Sequence, residues 1–214
     1  QRGLAMVSMA HKPKFTRETP DIRRQALINA TRRCMARDGV EGASVRRICD
    51  EAGVSQGLLR HHFGGKDNLM AETYRAMVSE LGSATRNLIG RDGLGPEERL
   101  SQAIDVTLRP PLAAPDRRRV QLAFWDLVPR NPAIAAMHKK LYGDYRKDIA
   151  GVIAEVARAD GVAVDAKALA RALTALLDGL WLQMCLEPKL FSARAAHREC
   201  LSLLGRSLPS YADI

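Results

Sequence analysis

A short stretch between residues 53 and 69 gathers side chains that suit contact with nucleic acid. It reads GVSQGLLRHHFGGKDNL and brings Gln56, Arg60 and Lys66 close together along the chain. A glutamine amide can pair with N6 and N7 of adenine, and an arginine guanidinium can bind O6 and N7 of guanine. Gly57 has no side chain and allows another backbone to approach closely. This combination indicates recognition of base edges and phosphates.

Two short helices joined by a tight turn would position these side chains. Ser44 is suited to cap the first helix, in which apolar residues recur at helical spacing until Gly53 provides a stop. Ser55 is suited to cap the second helix. The second helix would pack through Leu58, Leu59, His62 and Phe63, and would expose Gln56, Gly57, Arg60 and His61. The pattern predicts a helix-turn-helix whose second helix enters the major groove.

Further basic residues are placed for contact with DNA phosphates. Arg46 and Arg47 begin the first of these helices, and Lys66 begins the helix that follows them. A cation at a helix N-terminus opposes the helix dipole unless an anion lies beside it. The alternative is that Gln56, Arg60 and His61 only form a solvated face. The predicted DNA-contacting residues are Ser44, Arg46, Arg47, Ser55, Gln56, Gly57, Arg60, His61 and Lys66.

The net charge of +9 is concentrated in the first third of the 214-residue chain. Residues 1–66 contain 13 Lys and Arg against 6 Asp and Glu, whereas the remainder contains 20 against 18. A basic front and a nearly neutral rear predict a polyanion-binding module joined to a second unit. The alternative is a basic protein that is merely soluble. We expect residues 1–20 to form a flexible basic arm.

Apolar residues recur every three or four positions along the rest of the chain, which predicts an all-α fold. The expected helix-turn-helix domain covers residues 21–66, and a second helical domain for ligand binding and dimerisation covers residues 67–214. Cap residues, prolines and glycines divide the chain into nine helices. Their expected ranges are 21–38, 44–52, 55–63, 66–89, 96–108, 116–128, 132–159, 165–186 and 192–208.

The motifs of the main enzyme and metal-binding classes are missing from the sequence. It contains no GxSxG, HExxH, phosphate-binding loop or paired Cys–His spacing, so we expect no catalysis, no metal and no other cofactor. The four cysteines lie far apart, which favours reduced thiols in a cytoplasmic protein. We expect no membrane-spanning segment and no secretory signal, because no apolar run reaches roughly 18 residues.

The segment AGVSQGLLRHHFGGKDNL, residues 52–69, resembles the DNA-binding motif of the TetR family of bacterial repressors. The family pattern is AGVS-x-G-x-L-Y-x-H-F-x-x-K-x-x-L, and the chain departs from it at Arg60, where the family has tyrosine. This departure leaves the target sequence open. The resemblance spans residues 21–70 and implies a nine-helix protein of the bacterial cytoplasm that binds double-stranded DNA in the nucleoid.

Two segments of the rear half, LAFWDLV and ALLDGLWL, resemble the choline-responsive BetI-like repressors of this family. Aromatic faces can hold a quaternary ammonium by cation–π contacts, and Asp178 needs a partner in its otherwise apolar helix. The alternatives are tryptophans packed in the core and a neighbouring arginine or hydroxyl as the partner of Asp178. The candidate effector-binding residues are Trp125, Asp126, Tyr142, Asp178 and Trp181.

The resemblance also implies how such a protein is assembled and switched. Residues 165–208 would pair with their copies in a homodimer, and residues 172–186, ALTALLDGLWLQMCL, are apolar enough for burial on every side. A twofold dimer suits a palindromic operator with half-sites about 34 Å apart. A small-molecule effector would move the fourth helix and release the repressor. The alternative function is a helical interaction protein that binds nucleic acid without sequence preference.

Overall fold

A computed structural model describes residues 19–189 and 191–212. The expected arm of residues 1–20 lies outside the described residues, apart from its last two. The described ranges form nine α-helices, no strand and one 3₁₀ helix at Pro209–Tyr211, so the all-α prediction is confirmed. The α-helices are α1 Pro20–Gly42, α2 Val45–Ala52, α3 Gln56–Phe63, α4 Lys66–Ile89, α5 Pro96–Leu108, α6 Pro115–Leu127, α7 Pro132–Ala159, α8 Ala166–Leu186 and α9 Ala193–Gly205.

Side-chain caps begin several helices at the expected residues. Ser44, Ser55, Asp165 and Ser192 each accept a hydrogen bond from a backbone N–H in the first turn of their helix. Gly53 ends α2 with a left-handed φ of 66°. These caps satisfy backbone groups that the helix itself leaves unpaired, so local sequence determines where the helices begin and end.

The range of α1 runs to Gly42, but Gly39 interrupts it with a non-helical φ of 69°, so the helix breaks at the glycine that was expected to end it. α9 ends at Gly205 rather than near residue 208. The 3₁₀ helix folds back onto this end, where a Cβ atom at position 205 would lie 2.5 Å from the carbonyl oxygen of Tyr211. Only glycine leaves room for that approach.

The helices enclose two hydrophobic cores, and α4 packs into both of them. The first core combines residues of α1, α2, α3 and α4 with Phe124 of α6 and Tyr142 of α7. The second core is built from α5, α7, α8 and α9, with Ile89 at the end of α4 packed against it. The first core crosses the expected boundary between residues 66 and 67, and that boundary stays a prediction.

α8 is long and apolar enough to cross a membrane by length and composition alone, contrary to the expectation that no segment would be. The core helix of a soluble protein passes the same test, and α8 packs against α6, α7 and α9. Within one chain, however, α8 is not buried on every side. A line of small and apolar residues, here called the α8 stripe, is exposed along it: Ala172, Ala175, Gly179, Leu182 and Leu186.

A cluster of two arginines and a glutamate joins α1, α4 and α6. Glu80 of α4 accepts hydrogen bonds from Arg32 of α1 at 2.7 Å and from Arg117 of α6 at 2.5 Å. Arg117 also donates to the carbonyl oxygen of Met77 at 2.6 Å, and its side chain is only 14% exposed. Desolvation alone would raise the pKa of Glu80, but the two arginines outweigh it and the pKa is lowered.

We expect Glu80→Gln to lower the free energy of unfolding at pH 7 by about 1 kcal/mol, a value discounted for screening because the Glu80 side chain is 44% exposed. A carboxylate whose pKa is lowered by folding stabilises at neutral pH and loses that contribution in acid. The difference from wild type should therefore shrink as the pH falls below 4.5, the ordinary pKa of this group.

Urea unfolding at pH 7 and at several pH values below 4.5 checks this prediction. Asp126→Asn is the matched control, because Asp126 pairs with Arg130 at 2.8 Å on an exposed surface and joins no two helices. A loss of stability that is equal in the two variants, or one that does not change with pH, would contradict a stabilising role for the Glu80 cluster.

Candidate DNA-binding and effector-binding sites

α2 and α3 form the expected helix-turn-helix. Leu59 and Phe63 are buried in the first core and anchor α3. Leu58 and His62 are half-buried on the same side, as their positions on the helix predicted. The opposite side of α3 is exposed and carries Gln56, Gly57, Arg60 and His61. The sequence therefore placed every one of these side chains on the correct face.

Arg24 of α1 holds the C-terminal end of α3. Its guanidinium donates to the carbonyl oxygen of His62 at 3.1 Å and to Glu72 of α4 at 2.6 Å. It also lies 4.4 Å from the ring centroid of Phe63, a cation–π contact. The side-chain amide of Asn68 donates to the carbonyl oxygen of Phe63 at 2.9 Å. These bonds satisfy the last carbonyls of α3 and fix its direction relative to α1 and α4.

Three predicted DNA contacts have no competing role in the described part of the chain. The side chains of Gln56, Arg60 and Lys66 make no hydrogen bond or ion pair with any described residue. At Gly57, an added Cβ atom would meet nothing closer than 3.8 Å, so packing within the chain does not require glycine there. These four positions are open to an external partner.

Other predicted contacts already serve the fold. The Ser44 and Ser55 hydroxyls accept hydrogen bonds from backbone N–H groups at 3.3 and 3.2 Å. Arg47 forms an ion pair with Asp38 at 3.2 Å. Arg46 is 85% exposed and reaches Asp50 only at 3.8 Å, so of the two neighbouring arginines it is the less engaged.

A cavity between α4, α5, α6, α7 and α8 is the candidate effector site. It measures about 430 Å³ with its open mouth, but the space open to water inside it is about 30 Å³, enough for about one or two water molecules. Both hydrophobic cores contribute to its walls. The lining residues are Val78, Leu81, Thr107, Gln121, Tyr142, Tyr145, Thr174, Leu177, Asp178 and Trp181.

Asp178 is the acidic group of this cavity. Burial raises its pKa to about 7, and the hydrogen bond from Tyr142 and the charge of Arg146 only partly oppose that shift. The Tyr142 hydroxyl lies 3.4 Å from Oδ1 of Asp178 and accepts a hydrogen bond from Nε1 of Trp125 at 3.3 Å. Asp178 also lines a second opening, together with Trp125 and His138. Asp178 therefore belongs to the walls of both the cavity and this opening.

The five candidate effector residues do not all reach this site. Tyr142, Asp178 and Trp181 line the cavity, and Trp125 lies at the second opening. Nε1 of Trp181 donates to the carbonyl oxygen of Thr107 at 3.1 Å. Asp126 was placed wrongly in the set: it follows Trp125 by about 100° of helix turn, points to solvent and pairs with Arg130.

Several lining residues were missed from the sequence. Thr174 and Tyr145 lie one helical turn from Asp178 and Tyr142, and that spacing could have identified them. Gln121 lies one turn before Trp125. Its side-chain nitrogen is buried without a hydrogen-bond partner among the described residues. A polar residue on the packed side of a helix was the available signal.

Two family models match the chain, one over the helix-turn-helix and one over the helices that follow α4. The model of bacterial regulatory proteins of the tetR family matches residues 27–73, and that of the BetI-type transcriptional repressor C-terminal domain matches residues 96–209. The chain is 32% identical over 193 residues to the HTH-type transcriptional regulator BetI 2 of Chromohalobacter salexigens, covering 89% of this chain and 90% of that protein.

Two solved structures share the fold over most of their length. One is a proposed transcriptional regulator from Pseudomonas aeruginosa PAO1, with a TM-score of 0.80, 39% identity and coverage of 94% of this chain and 93% of that one. The other is a proposed regulator from Saccharomonospora viridis in complex with choline, with a TM-score of 0.77, 24% identity and coverage of 88% and 98%.

The two family models together match α2, α3 and the helices from α5 to α9. The relatives are transcriptional regulators rather than enzymes. The chain therefore belongs to the TetR family of bacterial regulatory proteins and is a helix-turn-helix transcriptional regulator of the BetI type.

Proposed function

We propose that the protein is a dimeric repressor that binds a palindromic operator and is released by a small quaternary ammonium such as choline. The observation that carries the DNA-binding part is α3, a helix fixed by Arg24, which exposes Gln56 and Arg60 without a partner among the described residues. Regulators of this family are soluble cytoplasmic DNA-binding proteins. We further propose that the protein resides on the nucleoid.

The predicted DNA contacts divide into two roles. Gln56 and Arg60 lie one helical turn apart on the open face of α3, which suits base edges in the major groove. Lys66 lies at the N-terminus of α4, where a phosphate would neutralise its charge and also contact the free backbone N–H groups. We assign Arg46, Arg47, His61 and the backbones at Ser44, Ser55 and Gly57 to the DNA backbone as well.

The effector assignment is supported by the chemistry of the cavity. Asp178 offers a carboxylate whose buried charge is only partly compensated, and Tyr142, Tyr145 and Trp181 offer aromatic faces beside it. The structural relative from Saccharomonospora viridis binds choline. A trimethylammonium group is several times larger than a water molecule, so entry requires the walls of the cavity to move.

The homodimer is supported by the α8 stripe. Its residues recur at intervals of three and four, and Leu182 and Leu186 remain 38% and 65% exposed in one chain. Alanine and glycine at the other stripe positions allow two helices to approach closely. A second copy related by a twofold axis would cover the stripe with its own α8 and α9.

Arg60→Ala should cost roughly 1–3 kcal/mol in operator binding and relax the preference at one base position. Lys66→Ala should weaken binding to all sequences about equally and reduce the salt slope by about one, because it removes a phosphate contact. The measurement is a titration of DNA from upstream of the gene, and of base-substituted versions, at two salt concentrations.

Lys140→Ala, on an exposed part of α7, is the control. Equal changes of sequence specificity in the Arg60 and Lys66 variants would contradict these roles. If the wild-type protein prefers no DNA sequence, the proposed repressor function is contradicted.

Choline affinity should rise between pH 6 and pH 8, because Asp178, with a pKa of about 7, becomes ionised over that interval. Asp178→Asn should weaken choline at least about tenfold and remove the pH dependence. Calorimetric titration checks both effects, with Asp126→Asn as the control. The assignment is wrong if Asp178→Asn binds choline with the wild-type pH dependence.

Leu182→Glu should shift the protein from dimer to monomer, because a charge buried between two α8 stripes would have no partner. Sedimentation velocity at several concentrations measures this change. Lys140→Glu changes charge at an exposed site outside the stripe and should leave the dimer intact. A Leu182→Glu protein that dimerises like wild type would exclude the α8 stripe as the interface.

A further inference from the structure

A buried hydrogen bond links α7 to the helix that joins the two cores. The hydroxyl oxygen of Tyr74 on α4 lies 2.6 Å from Nδ1 of His138 on α7. Tyr74 is fully buried, and its ring centroid is 5.1 Å from that of Phe124. It belongs to the same core as Leu59 and Phe63, which anchor α3, the second helix of the helix-turn-helix. Displacement of Tyr74 would therefore disturb the packing beneath α3.

The other side of His138 faces the effector site. Its ring centroid lies 4.2 Å from that of Tyr142, and His138 lines the second opening together with Trp125 and Asp178. The Tyr142 hydroxyl in turn lies 3.4 Å from the Asp178 carboxylate. An unbroken series of contacts thus runs from Asp178 through Tyr142 and His138 to Tyr74.

We propose that His138 and Tyr74 are the positioning pair through which occupation of the effector site displaces α4. The inference rests on the proposed function, because it needs a cation that binds at Asp178. Such a cation competes with the Tyr142 hydroxyl for the carboxylate and moves the Tyr142 ring. His138 packs on that ring and must follow it, and the short bond then draws Tyr74 with it.

A second route exists in the structure and makes a different prediction. Val78 and Leu81 of α4 line the cavity directly, so a ligand could push on α4 by apolar contact alone. That route does not involve the Tyr74 hydroxyl. Tyr74→Phe removes only the oxygen atom and keeps the buried ring, so it separates the apolar route from any route through the hydroxyl. Gln121, which lines the cavity, also lies beside this hydroxyl, so a change at His138 is needed to identify the partner. Tyr74 lines neither opening of the effector site.

The experiment measures the operator Kd of the full-length protein with and without saturating choline, and the choline Kd separately. In Tyr74→Phe, we expect the choline-induced weakening of operator binding to fall at least about fivefold, with both individual affinities near wild type. Tyr211→Phe is the matched control. Tyr211 is also buried, and its hydroxyl donates to the carbonyl oxygen of Glu97 at 2.7 Å, away from α4.

A double-mutant cycle with His138→Phe tests whether the two residues act as one unit. If the bond carries the coupling, the double variant loses no more of the choline effect than either single variant. Three results would overturn this inference without affecting the proposed function. They are a wild-type choline effect on operator binding in Tyr74→Phe, additive losses of that effect in the cycle, and an equal loss in Tyr211→Phe. A wild-type complex that choline does not release would contradict the proposed effector, and the inference with it.

Discussion

The shared use of α4 by two cores is the constraint on which the rest of the structure depends. Leu69 and Tyr74 near its start are fully buried in the first core, which also holds α2 and α3. Ile89 at its end packs on the second core. Interiors packed at crystal-like density transmit displacement rather than absorb it. A change around the second core that moves α4 must therefore alter the support of α3, and the Glu80 cluster adds charged contacts between α4, α1 and α6.

Two groups of basic residues between residues 20 and 66 differ in their surroundings. Arg24, Arg33, Arg37 and Arg47 each pair with a carboxylate, and the hydrogen bond from Arg33 is the largest cause of the lowered pKa of Glu51. These arginines brace the helices against one another. Arg60 and Lys66 have no partner among the described residues. Arg60 and Lys66 are therefore free for DNA without loss of an ion pair among the described residues, whereas Arg47 would have to share its charge between Asp38 and a phosphate.

Local features of the sequence predicted local features of the structure. Ser44, Ser55 and Gly53 set helix ends through bonds that span only a few residues, so their roles could be recognised from residue type and spacing. Helical periodicity likewise predicted which face of α3 is exposed and carries Gln56 and Arg60. Asp126 failed as an effector residue because its neighbour Trp125 faces inward, and adjacent residues on a helix point in different directions.

Contacts between distant helices were beyond the sequence, because spacing along the chain does not specify which helices meet. Tyr74 and His138 are 64 residues apart, and nothing in either segment identifies the other as its partner. The same limit applies to the cavity, whose walls come from five helices. Its interior admits about one or two water molecules in this geometry. A larger cation would therefore favour a different arrangement of these walls, to which α4 contributes, and a difference in affinity between two arrangements is what allows a ligand to shift their populations.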